Sequence, residues 1–322
     1  MRVLILGAGA LGSLMGARLH SAGTPVILFS RNIDHIRSVR QDGLLVRELD
    51  GREQILELPA CENKADIPWT PELVITLVKS RDTEGAVRAV LPLCSVDTHF
   101  LTLQNGIGNA DLIQKLAGTD RVLAGTTAQG ATLLRPGKVG HGGEGPSHVG
   151  RPGTAADDMA RRVAALLDGA GLTCEATDQA DRLIWKKLLV NVGINAITAL
   201  SRVPNGWVAD DPSARELATR AVQEAREVAA KFGFDFPEAV DQEVLDVAHR
   251  TRKNHSSMYQ DVATGKPTEI EAINGAVESL ARGFGLSAPV NWTLTRLIRL
   301  IDATNQQGGS HHGKPTHAPA DL

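Results

Sequence analysis

The spacing of apolar residues changes near residue 177. Before that point, short apolar runs typical of buried strands alternate with helical patterns. Strands are predicted at 2–6, 25–30, 73–78, 99–103, 122–131, 138–141, 147–150 and 173–176, with helices around 10–23, 83–90, 109–116 and 154–170. This alternation predicts a doubly wound α/β domain with antiparallel additions over residues 1–177.

The second half has an almost entirely helical pattern. Helices are predicted near 181–201, 213–232, 237–251, 268–283 and 290–304, separated by glycine and proline turn signals. We therefore expect an all-helical domain over residues 178–305. A cleft beside such a domain is the usual place for a small ligand. Residues 306–322 are rich in Gly, Pro, Ser and His, and we expect a disordered tail there.

The first predicted strand runs directly into a glycine-rich turn. Its residues are Gly7, Ala8, Gly9, Ala10, Leu11 and Gly12. A G-x-G-x-x-G sequence between a strand and a helix is the dinucleotide-binding fingerprint of Rossmann-type domains. Glycines let the backbone approach a pyrophosphate, whose charge the helix N-terminus favours. A secretory signal is rejected because four glycines interrupt the apolar stretch between positions 7 and 16.

The end of the second predicted strand indicates which dinucleotide is bound. An NAD site usually has an acidic residue there, whereas this chain has Arg31. Because arginine can pair with a 2′-phosphate, we predict NADP(H). The alternative is a solvated arginine at the start of the next helix. Lys79 and Asn105 follow two later strands, and ligands of such sheets lie beyond the carboxyl ends of the strands.

A second group of polar residues lies in the predicted helix 181–201. Lys187, Asn191 and Asn195 follow one another at four-residue intervals. The two asparagines therefore lie about 40° and 80° around the helix from the lysine. Unpaired polar groups in such an apolar segment are costly. The arc either faces a ligand, is satisfied by a neighbouring helix, or includes a lysine that reaches solvent.

Composition excludes several classes of partner. The chain has 322 residues, 42% of them hydrophobic, and a net charge of −3. Without a long basic run, nucleic acid is not an expected partner. No uninterrupted apolar run reaches the roughly 18 residues of a membrane span. The three cysteines are far apart and fit a reducing cytoplasm, and the histidines lack metal-ligand spacing, so we expect no metal.

Four blocks in the same order give the chain a family resemblance. They are the glycine turn with Arg31, then Lys79, then Gln104-Asn105-Gly106, and finally 185–195 together with 256–258 and 268–271. To about residue 305, the chain resembles the ketopantoate reductases (2-dehydropantoate 2-reductases). The resemblance implies a Rossmann-type domain followed by an all-helical domain that carries the substrate site.

The resemblance also implies roles for individual residues. Lys187 would be the general acid that protonates the substrate carbonyl as hydride arrives, and Glu269 would help to bind substrate and position the site. The implied substrate-binding residues are Asn105, Asn191, Asn195, Asn254 and Ser257. The implied cofactor-binding residues are Gly7, Ala8, Gly9, Ala10, Leu11, Gly12, Arg31, Lys79 and Asn105.

Some of these assignments have rivals. Lys186 is adjacent to Lys187, although only Lys187 shares an arc with the asparagines. Glu271 is the rival acid of Glu269. Ser256 and Ser257 could cap a helix. Asp82 could favour the start of its own helix, but an inward-facing carboxylate there would weaken 2′-phosphate binding.

Three functions remain open. The first is NADPH-dependent reduction of 2-dehydropantoate to pantoate, a step toward pantothenate and coenzyme A. The second is reduction of another small 2-oxo acid by a paralogue. The third is a non-catalytic NADPH-binding regulator, which would need no proton donor. The long helical half also suggests a homodimer, although no motif marks its interface.

Overall fold

The structure is a computed structural model, and it describes residues 1–308. The chain divides into two compact units, Met1–Ile184 and Trp185–Leu322, called unit 1 and unit 2 below. The division falls seven residues after the predicted boundary. Residues 306–308, expected in a disordered tail, belong to the last helix. The rest of that predicted tail, with its three histidines, lies outside the described residues.

Unit 1 is built on a large sheet. The strands of unit 1 are β1 (Val3–Leu6), β2 (Val26–Phe29), β3 (Leu44–Arg47), β4 (Glu53–Leu56), β5 (Ala60–Cys61), β6 (Leu73–Thr76), β7 (His99–Thr102), β8 (Val122–Thr127), β9 (Gly130–Arg135), β10 (Lys138–Gly143), β11 (Ser147–Gly150) and β12 (Cys174–Ala176). The large sheet has the order β12-β11-β8-β7-β6-β1-β2-β5. Strand β11 is antiparallel to β8, so the predicted doubly wound sheet with antiparallel additions is confirmed.

Strand β1 lies in the interior of this sheet, and it is apolar on both faces. It pairs in parallel with β2 and with β6. Val3 and Ile5 pack into one apolar cluster, whereas Leu4 and Leu6 pack into another. Parallel strands covered on both faces have this continuous apolar pattern. The sheet order reverses at β1, which places the glycine turn after β1 at the switch point.

A second, four-stranded sheet of order β4-β3-β10-β9 was missed in part. The hairpin of β3 and β4 was not predicted, since its strands are short and half-exposed. The predicted strand 122–131 was also wrong, because it is two strands that belong to different sheets. A turn separates them, in which the hydroxyl of Thr127 accepts a hydrogen bond from the N–H of Gln129.

The helices of unit 1 cover these sheets. They are α1 (Ala10–Ser21), α2 (Ile33–Asp42), α3 (Thr83–Val90), α4 (Asn109–Ala117) and α5 (Asp158–Gly169). Helix α1 packs against β2 and against strands of the second sheet, and it is therefore buried on most sides. Helix α5 begins four residues later than predicted because Asp157 caps it, accepting from the N–H of Ala160.

Unit 2 is helical. Its helices are α6 (Ala180–Ser201, which begins in unit 1), α7 (Gly206–Asp210), α8 (Pro212–Lys231), α9 (Ala239–Arg250), α10 (Ser257–Ala263), α11 (Asn274–Gly283) and α12 (Pro289–Gly308). The short helices α7 and α10 were not predicted. Helix α6 is long and apolar enough to cross a membrane, but 61% of its most apolar window is buried inside the protein. A core helix of a globular unit has the same properties.

The predicted helix 268–283 was wrong in its first third. A single 3-10 turn over Ile270–Ala272 precedes α11, which begins only at Asn274. The carboxylate of Asp302 on α12 accepts hydrogen bonds from the N–H and the hydroxyl of Thr268. These hydrogen bonds hold residues 268–273 in a turn, although the apolar spacing of the sequence predicts a helix there.

Candidate active site

The glycine turn after β1 has the geometry of a pyrophosphate cradle. Gly7 has a φ of 108°, and a Cβ on it would lie 2.6 Å from the backbone N of Val78. A Cβ on Gly12 would overlap the carbonyl oxygen of Gly7, so only glycine lets α1 start this close to β1. A Cβ on Gly9 would meet no atom within 4 Å from any described residue other than its chain neighbours.

The open space beside Gly9 lies at the N-terminus of α1. Gly9 is the N-cap of this helix, and no side chain caps it. The first helical N–H groups, on Ala10 and Leu11, therefore have no capping side chain, and Ala8 is buried beneath the turn. An anion is favoured at such a position by the helix dipole and by the N–H groups. These residues fit the pyrophosphate of a dinucleotide.

Arg31 follows β2 and is paired with an acid. Its guanidinium lies 2.7 Å from Asp82 Oδ1, and 71% of the Arg31 side chain is exposed. Asp82 was expected to favour the start of its own helix, but its side chain makes no capping hydrogen bond there. It accepts from Arg31 instead. The predicted phosphate-binding arginine thus already has an anionic partner.

Asn105 lies in a turn that neighbouring polar residues hold in place. Its carbonyl oxygen accepts from the hydroxyl of Ser80 at 3.1 Å and from the amide of Asn109 at 3.1 Å. Lys79 lies directly before Ser80, where β6 leads into α3. The turns after β6 and β7 are therefore tied together. Ser80 and Asn109 were missed as supporting residues, although both follow the same strands as Lys79 and Asn105.

Lys187 lies on α6 in unit 2, and its ammonium is in a desolvated environment. Burial lowers the pKa of Lys187 to about 8, and the charge of Glu269 opposes that decrease. Glu269 is itself 9% exposed. Desolvation disfavours a charged lysine, whereas a nearby carboxylate favours it. The pair therefore provides a cationic donor that can lose its proton near neutral pH.

The rival residues have other partners. Lys186 is half-exposed, and its ammonium lies 2.7 Å from Glu243. Glu271 binds the guanidinium of Arg299 through both carboxylate oxygens, at 2.5 and 2.6 Å. Both pairs are exposed and resemble ordinary surface ion pairs. Neither rival shares the buried environment of Lys187 and Glu269.

The two asparagines of α6 differ in their surroundings. Asn195 is 5% exposed. The amide nitrogen of Asn191 is buried and has no hydrogen-bond partner among the described residues. A buried amide N–H without a partner is costly. Asn191 therefore has a buried donor, one turn along α6 from Lys187, that no described residue uses.

The residues considered at the start of α10 divide into one structural residue and two exposed ones. Ser256 is the N-cap of α10, accepting from the N–H of Tyr259, and its hydroxyl also bonds that of Thr198 at 2.8 Å. Asn254 and Ser257 are exposed. The capping alternative thus describes Ser256, whereas Ser257 has no such role.

No group of three or more metal-ligating side chains occurs within residues 1–308. The described chemistry consists of an anion-binding turn in unit 1 and a lysine–carboxylate pair with a donor amide in unit 2. The fold and its glycine turn define the class of a dinucleotide-dependent oxidoreductase.

Comparison with known proteins identifies the family. The family described as "Ketopantoate reductase PanE/ApbA" matches residues 3–153, and its "C terminal" part matches residues 179–302. The chain belongs to the ketopantoate reductase PanE/ApbA family. Its expected family resemblance is thus confirmed, as is its class as an oxidoreductase.

Individual relatives match over nearly the whole chain. A 2-dehydropantoate 2-reductase of Halobacterium salinarum is 40% identical, covering 93% of this chain and 98% of the relative. One from Archaeoglobus fulgidus is 38% identical, covering 94% and 98%.

Solved structures show the same fold. D-mandelate dehydrogenase with NADH and anilino(oxo)acetate superposes with a TM-score of 0.89 at 27% identity, covering 95% of this chain and 100% of the other. A PanE/ApbA family ketopantoate reductase from Ralstonia eutropha superposes with a TM-score of 0.87 at 29% identity, with the same coverage. These likenesses indicate a nicotinamide dinucleotide as cofactor.

Proposed function

We propose that this protein catalyses the NADPH-dependent reduction of 2-dehydropantoate to pantoate, a step toward pantothenate and coenzyme A. The observation that carries the proposal is the desolvated Lys187, whose pKa of about 8 depends on burial and on Glu269. The relatives named 2-dehydropantoate 2-reductase support the choice of substrate.

Lys187 supplies the proton of this reaction. The bound dinucleotide would supply a hydride to the carbonyl carbon of the substrate. As the carbonyl double bond opens, negative charge develops on its oxygen, which a cation stabilises. Lys187 Nζ then transfers a proton to that oxygen, giving the hydroxyl of the product and a neutral amine. Solvent reprotonates the amine before the next turnover.

Other residues bind and orient the reactants. The amide nitrogen of Asn191, which has no partner among the described residues, donates to a substrate oxygen. Asn195, Asn254 and Ser257 complete the polar contacts from unit 2. In unit 1 the glycine turn holds the pyrophosphate, with Lys79 and Asn105 beside the cofactor. Holding reactants in a productive orientation is a large part of such catalysis.

NADPH is the proposed form of the cofactor because Arg31 follows β2, at the place where an acid would bind the ribose of NADH. Asp82 lowers the strength of this preference, since it already neutralises the guanidinium. Arginine remains able to bind a phosphate through its other N–H groups.

A second candidate function is reduction of a different 2-oxo acid. The structural likeness to D-mandelate dehydrogenase, solved with NADH, favours it. A non-catalytic NADPH-binding regulator is disfavoured, because a desolvated lysine beside a buried carboxylate is costly to keep without a reaction that uses it.

The test measures turnover by the purified protein of NADPH with each member of a panel of 2-oxo acids. Turnover is measured as the loss of absorbance of the reduced nicotinamide. Selective turnover of 2-dehydropantoate is expected. Better turnover of an aromatic 2-oxo acid, or of any acid with NADH, would favour the second candidate. Binding of NADPH without turnover of any acid would favour a regulator.

We also propose that the protein is a cytoplasmic homodimer. Helix α12 carries three exposed apolar side chains, Trp292, Leu297 and Leu300, which are 47%, 42% and 63% exposed. Neighbouring exposed apolar side chains are typical of interaction surfaces. Sedimentation equilibrium of the wild type and of Leu300→Glu tests this proposal, with a monomer expected for the variant only.

A further inference from the structure

A chain of buried amides links the helices of unit 2. Asn274, at the start of α11, donates to the carbonyl oxygen of Val192 on α6 at 3.3 Å and to Asn291 Oδ1 at 3.0 Å. Asn291 donates to the carbonyl oxygen of Ala221 and to Glu224 on α8, at 3.0 and 2.7 Å. Both asparagines are 0% exposed.

The orientation of each of these two amides is determined by its acceptors. Glu224 also accepts from the N–H groups of Val290 and Asn291. A carboxylate has no proton to donate and only accepts hydrogen bonds. Asn291 must therefore turn its NH₂ toward Glu224 and present its oxygen to Asn274. Asn274 in turn must donate to Val192. Hydrogen bonds aligned in this way reinforce one another.

These hydrogen-bonded amides reach both segments that carry the proposed catalytic pair, Lys187 and Glu269. Val192 lies five residues after Lys187 on one continuous helix, and Asn274 lies five residues after Glu269. On the other side of Glu269, Thr268 is bound to Asp302 of α12. Of these two anchors beside Glu269, only Asn274 reaches α6.

Buried amides in an apolar core are costly unless fully paired. Asn274 remains imperfectly paired, since its Oδ1 has no partner among the described residues. Apolar side chains of similar size would pack here without that cost. The directional bond to α6 is what an asparagine adds.

We propose that Asn274 is a positioning residue, which holds the segment carrying Glu269 against α6 and so sets the separation of Glu269 and Lys187. The inference rests on the proposed role of Lys187 as general acid. Its partner Asn291, anchored by Glu224, keeps the Asn274 amide turned toward Val192.

The test compares Asn274→Ala with Thr295→Val. Thr295 is equally buried on α12, and its hydroxyl bonds the carbonyl oxygen of Asn291 in its own helix. In Asn274→Ala, kcat should fall about ten- to a hundredfold with an unchanged KM for NADPH. With Glu269 held less closely, the pKa of Lys187 should fall. The decrease of kcat at high pH, called the basic limb below, should therefore move to lower pH by about half a unit or more. Thr295→Val should lower only the melting temperature.

A basic limb that stays at the wild-type pH in Asn274→Ala, with a loss of stability like that of Thr295→Val, would overturn the inference. If Asn274→Ala does not fold, Glu224→Gln tests the same hydrogen-bonded amides by changing the acceptor of Asn291. A smaller shift of the basic limb to lower pH is then expected. An unmoved limb there would overturn the inference equally.

Lys187→Ala, measured in parallel, separates this inference from the proposed function. Loss of the limb in Lys187→Ala, with no shift in Asn274→Ala, would overturn the positioning role alone. A normal rate and a normal limb in Lys187→Ala would overturn the general-acid role and the positioning inference together.

Discussion

Glu269 raises the pKa of the Lys187 ammonium, and burial lowers it further than Glu269 raises it, so that the balance is a value of about 8. At pH 7 such a lysine is protonated in about nine molecules of ten. It is also a stronger acid than an exposed lysine. A proton donor is most effective when its pKa lies near the working pH.

Replacing Lys187 should abolish most of the activity. Lys187→Ala is expected to lower kcat for 2-oxo acid reduction by about a hundredfold or more, because the developing negative charge loses its proton donor. Lys186→Ala is the matched control, since it removes a neighbouring ammonium that is bound to Glu243 at the surface. Steady-state kinetics of both variants would assign the acid to Lys186 if the control lost the larger share of activity.

The pH dependence of turnover should follow the protonation of Lys187. Reduction needs the ammonium form, so the rate should be constant near neutrality and fall as pH rises through about 8. The reverse oxidation needs the neutral amine as base, and its rate should rise over the same range. Rates measured in both directions from about pH 6 to 10 check this, and a parallel pH response in the two directions would contradict it.

The desolvated Lys187 should lower the stability of the folded protein. The pKa of Lys187 is depressed from 10.5 to about 8, so the folded state binds fewer protons than the unfolded state between these values. Stability should therefore rise as pH increases from about 8 toward 10.5. It should be lowest, with respect to this group, below pH 8.

Removing both charges tests the same effect at pH 7. Lys187→Met combined with Glu269→Gln should raise the free energy of unfolding by about 1–3 kcal/mol, because a desolvated ion pair is replaced by neutral groups. Replacing the exposed pair Lys186 and Glu243 in the same way should change it by about 1 kcal/mol or less. Denaturant unfolding measures both, and a destabilised first variant would contradict the expectation.

Two glycines of the same turn should respond differently to alanine. Gly12→Ala should destabilise unit 1 and abolish cofactor binding, because the methyl group would overlap the carbonyl oxygen of Gly7. Gly9→Ala should fold normally, since the added methyl group has open space among the described residues, yet it should bind NADPH more weakly. Melting temperature and NADPH titration separate the two effects. Full NADPH affinity in Gly9→Ala would place the pyrophosphate elsewhere.

The ion pair of Arg31 and Asp82 should control the choice of cofactor. Arg31→Ala is expected to weaken NADPH binding much more than NADH binding, because a 2′-phosphate loses its cation. Asp82→Asn should strengthen NADPH binding, since the guanidinium is released from its carboxylate partner. Dissociation constants for both dinucleotides give the answer. Equal losses for NADPH and NADH in Arg31→Ala would remove Arg31 from the phosphate site.

Local patterns were sufficient for much of the fold. The strand–glycine turn–helix at 3–21 follows from residues that are neighbours in the chain, and so does the arc of Lys187, Asn191 and Asn195 on one helix. Strand and helix periods depend on local geometry, which the sequence displays directly. The missed hairpin of β3 and β4 is short and half-exposed, and such strands leave a weak apolar pattern.

What the sequence by itself determined was therefore the class of each unit, the dinucleotide turn and the helical arc of polar residues. Only the tertiary structure decided that a turn interrupts 268–273, that Asp82 binds Arg31, and that Glu271 and Lys186 have surface partners. It also decided the pKa of Lys187. The physical reason is that the pKa of a side chain depends on burial and on charges from elements far away in the sequence, such as Lys187 and Glu269, which are about 80 residues apart. A pattern of neighbouring residues does not show which distant residues come into contact.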